Sequence, residues 1–275
     1  MKKYGFTREY ALLNGYFEEE TAKFQGKTAY LYGDMESGRI HFGRYMEERV
    51  VSASTIKVPI MMGVFRQIKE GKLKPDMAIM VADRSILPDS MVFEYGPRKA
   101  TLYELVVWMI VNSDNTATNV LIAVLGMDWL NGFFQELGLR QTRVERQMLD
   151  YDAIQEGRNN WISPMDFYHC MRLLKEESKE DGKISALDIM KRNRDFECLC
   201  RYLYEGPVVA HKTGELDDIV HDAGMIITET GSYFLGVFVS EFEPKPEMER
   251  EAQKLIGRLS RKVYELETST GTIRF

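Results

Sequence analysis

Strand-forming sequence lies at the two ends of this chain and is scarce between them. Tyr10, Leu13, Tyr16, Phe17 and Phe24 recur near helical spacing, which predicts a helix over residues 8–24. The period then changes to that of strands over 28–35 and 40–45, with Glu36-Ser37-Gly38-Arg39 as the turn between them. Residues 54 to 200 read mostly as helix, most clearly 102–111, 118–125 and 127–137, with Gly138 where a left-handed cap belongs. Strand patterns return at 207–212, 219–228 and 233–240, the last two flanking a turn that contains Gly231. A final helix over 246–266 carries Ala252, Leu255, Ile256, Leu259 and Val263 on one face. A sheet built from such a chain must draw strands from both ends. The expected class is therefore mixed α/β of the α+β kind: an antiparallel sheet flanked by the terminal helices, with an inserted all-helical lobe. We expect one domain in which 1–50 and 201–275 form the sheet lobe and 51–200 the mainly helical lobe. The cleft between the lobes is the default site.

Composition narrows the function classes. The apolar fraction is 44% and the charged fraction 28%, both ordinary for a folded chain of 275 residues. A net charge of −6 argues against a nonspecific nucleic-acid binder, which presents a basic surface. No apolar run reaches membrane-spanning length, and no apolar stretch of signal-peptide length follows Met1-Lys2-Lys3. Cys170, Cys198 and Cys200 are too few for a disulfide framework, and a Cys-x-Cys pair without a second pair is a weak zinc signal. The expectation is a chain without metal or cofactor, cytoplasmic as it stands and secreted if a leader has been trimmed.

Three short segments can carry chemistry. In Ser54-Thr55-Ile56-Lys57, a helix beginning near Ser54 would put the hydroxyl and the amine on one face. A serine is a weak nucleophile until a base takes its proton, and a lysine of lowered pKa can do so. Pro59 removes a hydrogen bond early in that helix, so an irregular first turn is expected. Ser113-Asp114-Asn115 lies between two apolar helices; as plain structure it is a polar connection, as a site it supplies a proton-relaying hydroxyl and a carboxamide. Lys212-Thr213-Gly214 ends a strand, where the lysine adds positive potential, the threonine can hold a substrate carboxylate, and the glycine lets substrate lie against the strand. Composition alone predicts the three together on the order of 10⁻³ times.

With these segments in this order, the chain resembles class A β-lactamases and penicillin-binding proteins, whose signature is S-x-x-K, S-D-N and K-T-G. The gaps between the segments and the helix-first, strand-last layout agree, so the resemblance spans nearly the whole chain. It implies a β-lactamase/transpeptidase-like fold and a small-molecule substrate, a β-lactam or a D-alanyl peptide. It also implies roles. Ser54 would be acylated, with Lys57 its base and Ser113 a proton shuttle. Asn115 would hold the substrate amide, and Lys212, Thr213 and Gly214 its carboxylate and backbone. The backbone N–H groups of Ser54 and Glu215 would form the oxyanion hole.

One departure matters. In class A β-lactamases a loop glutamate activates the water that frees the acyl-enzyme. The matching stretch here is 143–150, and Met148 stands at that place. A thioether accepts no proton, so deacylation is expected to be slow. Asp150 is the nearest substitute base in register, ahead of Asp152, Glu145 and Glu156. Arg146 is present, but Asn160 replaces the acidic partner expected for it. His211 should point away from Lys212 into packing or solvent, whereas His221 and Asp222 are candidates for the cleft wall. His41 and His169 are read as structural or exposed. Three functions compete: a β-lactamase-like serine hydrolase, a D-alanyl-D-alanine peptidase or esterase, and an acyl-trapping sensor without turnover.

Overall fold

The computed structural model describes residues 7–178, 185–204 and 206–269. The chain opens with α1 (Thr7–Ala22), β1 (Lys27–Asp34), β2 (Ile40–Arg44) and the two-residue β3 (Val50–Val51). A 3₁₀ turn at Ala53–Ile56 runs straight into α2 (Lys57–Lys69). A short hairpin of β4 (Ala78–Val81) and β5 (Arg98–Thr101) leads to α3 (Leu102–Val111), α4 (Asn115–Leu125) and α5 (Met127–Glu136). Then come α6 (Tyr151–Gln155), β6 (Trp161–Ile162), α7 (Pro164–Glu177) and α8 (Ala186–Met190). The chain closes with β7 (Val208–Leu216), β8 (Ile219–Thr228), β9 (Gly231–Ser240) and α9 (Pro246–Thr268).

The main sheet has the order β2-β1-β9-β8-β7, all antiparallel. Strands from the two ends meet where β1 pairs with β9, with Leu31 opposite Gly236. Alternation along β9 builds a core on each face. Tyr233, Leu235, Val237 and Val239 pack with Leu13 and Phe17 of α1 and Leu255, Ile256 and Leu259 of α9. Phe234 and Phe238 point the other way, into the larger core of the helical lobe with Ile60, Leu105 and Phe167. The expected two-layer cover and inserted helices are therefore present.

Local boundaries differ in instructive ways. Strand β7 extends to Leu216, past the expected end at 212, because it pairs with β8 down to Leu216–Ile219. Helix α4 starts three residues before the expected 118, because the Asp114 side chain accepts from Ala117 N and caps it. Gly138 does adopt a left-handed φ of 79° after α5. Among the described residues no single helix is long and apolar enough to cross a membrane.

Candidate active site

The nucleophile candidate sits on strained backbone. Ser54 does not cap a helix; it is the second residue of the 3₁₀ turn, preceded by Ala53 at φ 45°. A left-handed φ costs a non-glycine residue about 1–2 kcal/mol. The turn is held by neighbours on both sides. Ser52 N donates to Asn160 O at 2.8 Å, and Thr55 Oγ1 donates to Ser52 O at 2.6 Å. Strand β7 passes so closely that a Cβ on Gly214 would fall 2.9 Å from Ser54 N and 3.1 Å from Ser52 O. Glycine is required there by close approach. Pro59, third in α2, lies just past the irregular turn that its missing N–H led us to expect.

Lys57 is fully buried, and its Nζ meets four oxygens. Ser54 Oγ lies at 2.9 Å, Ser113 O at 2.6 Å, Asn115 Oδ1 at 2.7 Å and Ser113 Oγ at 3.1 Å. Burial, and then the charge of Lys212, hold the Lys57 ammonium well below the usual lysine range. Two of the four oxygens are carbonyls that only accept. Lys57 must therefore donate an N–H to each of them, which fixes the direction of its Nζ beside the Ser54 hydroxyl.

Ser113 supplies the second hydroxyl, and its own φ is 53°. The Asp114 cap and the Asp114 N–H bond to Trp108 O at 3.1 Å hold this turn between α3 and α4. Ser90 Oγ donates to Asp114 Oδ2 and anchors the 86–97 loop to the same turn. The Ser113 hydroxyl lies 3.1 Å from both Lys57 Nζ and Lys212 Nζ. Lys212 is buried, also donates to Thr213 O at 2.9 Å, and burial pushes its pKa down to about 8. Thr213 and Gly214 follow it on β7, and both are buried. The Glu215 side chain is directed to α9, where it accepts from Gln253 Nε2 at 3.2 Å; that leaves only its backbone for the cleft.

Ser54, Lys57, Ser113, Asn115 and Lys212 are thus brought into one hydrogen-bonded cluster. Asp150 is not bonded into it: its Oδ1 accepts from Ala153 N at 3.0 Å and caps α6. Met148 lies in the segment that leads into α6. Asn119 brackets it, accepting from Met148 N at 2.7 Å and donating to Met148 O at 3.1 Å. Leu149 follows at φ 59°. Glu145 Oε2 accepts from Asn159 N and Trp161 Nε1, while Asp152 and Glu156 are exposed. Arg146 Nε donates to Asn159 Oδ1 at 3.0 Å, so the guanidinium meets Asn159 and not Asn160. Asn160 instead accepts from the backbone N–H groups of Glu145 and Arg146 and lies 3.9 Å from Met148 Sδ.

One expectation is corrected here. His221 and Asp222 do not share the cleft wall, because neighbours on a strand face opposite sides. His221 packs on the helical-lobe face, with Nε2 3.0 Å from Val51 O, and burial drives its pKa down to about 4. Asp222 faces the other way and pairs with His211. One polar residue at the site escaped the sequence reading: Asp89 Oδ2 accepts from Asn115 Nδ2 at 2.6 Å. It lies 26 positions away in an aperiodic loop, with no motif to announce it.

Residues 13–266 match the sequence profile of the beta-lactamase enzyme family. A beta-lactamase from Rhodobacter capsulatus is 26% identical over 221 residues, covering 77% of this chain and 75% of that protein. A beta-lactamase structure from Chitinophaga pinensis DSM 2588 superposes with a TM-score of 0.84 at 23% identity, covering 94% of this chain and all of that one, which speaks for the fold. PBP-A, as a mutant in an acyl-enzyme complex with penicillin G, gives a TM-score of 0.79 at 27% identity, over 94% of this chain and 96% of that one. The chain belongs to the beta-lactamase enzyme family. It is a hydrolase of the β-lactamase type.

Proposed function

We propose that this protein opens β-lactam amides through an acyl-enzyme on Ser54 and releases the acyl group slowly. One observation carries the first half: Lys57 Nζ sits 2.9 Å from Ser54 Oγ with two carbonyl oxygens as its other close partners. A neutral Lys57 takes the hydroxyl proton as Ser54 Oγ attacks the lactam carbonyl. Ser113, hydrogen-bonded to both lysines, passes a proton to the departing nitrogen. Lys212 attracts the substrate carboxylate, with Thr213 beside it. Asn115 binds the substrate amide once its Nδ2 is shared with or freed from Asp89. The backbone N–H groups of Ser54 and Glu215 receive the oxyanion. The PBP-A likeness supports the acylation half.

Support for slow release comes from the sequence register, which sets Met148, a side chain that offers no base, against the loop glutamate. Glu145 and Asp150 have structural hydrogen bonds of their own, and Asp150 stays a candidate base only if it leaves its cap. Intact-mass spectrometry after penicillin G exposure tests the reading. The expected result is one penicillin adduct on wild type that persists after removal of free drug, and none on Ser54→Ala. Wild type without any adduct overturns it.

Met148 also favours a second reading, a D-alanyl-D-alanine peptidase or esterase that passes its acyl group onward. Faster turnover of a D-alanyl peptide thioester than of a chromogenic cephalosporin would select it. A single burst of product with either substrate would select an acyl-trapping sensor.

A further inference from the structure

A second cluster of reactive groups lies on the opposite face of the sheet from the cleft. Cys200 belongs to the segment between α8 and β7, and its Sγ is 3.7 Å from His211 Nε2. The other ring nitrogen, Nδ1, faces the Asp222 carboxylate at 2.8 and 3.0 Å. Asp222 is fixed in turn by the Leu199 N–H at 2.9 Å. The strand register makes room for this trio. Gly224 stands opposite His211, and a Cβ there would come within 2.5 Å of His211 Cβ.

Base and orienting acid are sealed, at 1% and 0% exposure, while Cys200 is partly open. Burial opposes a charge on His211, but the Asp222 carboxylate and its hydrogen bond, helped by Cys200, outweigh burial and push its pKa up to about 10. The imidazolium has two N–H donors. One is spent on Asp222, and the other is aimed at sulfur, for which a thiolate is the better acceptor. The other two cysteines lack such a partner: Cys170 and Cys198 are fully buried, and burial raises both thiols.

We propose that Cys200, with His211 and Asp222, is a second nucleophilic site that reacts with hydroperoxides and small neutral electrophiles. With hydrogen peroxide, Sγ forms a bond to one oxygen as the O–O bond breaks. Sulfur is oxidised by two electrons and the peroxide is reduced. The leaving hydroxide takes the Nε2 proton of His211 and departs as water, and a sulfenic acid remains on Cys200. The site needs nothing from Ser54, so it stands apart from the β-lactam reading.

Iodoacetamide labelling of the folded protein, mapped by peptide mass spectrometry, tests it. At about pH 7 Cys200 of the folded protein is expected to label at least tenfold faster than the same residue in the urea-unfolded chain. It should also take a dimedone adduct after hydrogen peroxide. Asp222→Asn should remove the excess rate, and Ser54→Ala should leave labelling unchanged. The comparison with the unfolded chain decides the matter even where Asp222→Asn does not fold. A Cys200 that labels no faster folded than unfolded, or stays unlabelled in the folded protein, overturns the proposal.

Discussion

The Ser54 side of the cleft and the loop side are both well fastened but differ in what they hold. On the first, backbone at Ala53 and Ser113 is strained to bring three side chains onto one lysine nitrogen. On the second, Asn119 pins Met148, Asn131 pins Val144 at 2.8 Å in both directions, and Asp166 accepts from Arg140, Gln141 and Thr142 N–H groups. The loop owes its shape to side chains that hold its backbone. Met148 is itself buried in the helical-lobe core, so its side chain adds packing and offers no base. On the function proposed above, acylation and deacylation are then separable by one side chain.

The largest expected effect breaks the first side. Lys57→Met keeps length and apolar packing but removes the base. Acylation by penicillin G should fall by on the order of 10²–10⁴, read by stopped-flow competition with a chromogenic cephalosporin. An unchanged rate would mean that the two carbonyl contacts hold a mere structural lysine. The reverse experiment equips the second side. Met148→Glu should speed release of the penicilloyl group by about 10² and leave the acylation rate near wild type. Failure to speed release, with the fold intact, would show that the loop lacks more than a base.

A smaller effect sharpens the electrostatics of the first side. Burial lowers the Lys212 pKa to about 8, so the ammonium proposed to attract a substrate carboxylate is lost from about pH 8 upward, not from the usual lysine range. Lys57 cannot cause a loss in that direction, since rising pH only favours its amine form. The apparent affinity for an anionic penicillin should thus weaken several-fold between about pH 7.5 and 9.5, while a penicillin methyl ester shows no such limb. A flat profile for the anion would place the carboxylate elsewhere.

How far the site could be read in advance depends on the kind of signal. The meeting of Ser54, Lys57, Ser113, Asn115 and Lys212 was legible because three short motifs name them, and the strand alternation already turned His211 away from Lys212. The 3₁₀ turn was visible only as a disturbance around Pro59, because its geometry comes from β7 and Asn160 pressing on it. Asp89 was hidden, since a loop carboxylate has no period and its contact to Asn115 exists only after α3 and α4 fold back. The misplaced pair, His221 with Asp222, failed for a simpler reason: two strand neighbours cannot face one cleft.

The smallest effect decides what Asp150 does. In the structure its carboxylate caps α6 through Ala153 N, and asparagine serves that position about as well as aspartate. Asp150→Asn therefore preserves the cap and removes only the capacity to take a proton. If Asp150 is structural, release of the penicilloyl group should change by less than about twofold and thermal stability by a few tenths of a kcal/mol. Asp150→Ala, which loses the cap as well, should destabilise the protein by about 1 kcal/mol while leaving release equally unaffected. A drop in release of about tenfold or more in both variants would instead make Asp150 the working base. The loop side would then be a rebuilt deacylation site, not one emptied by a methionine.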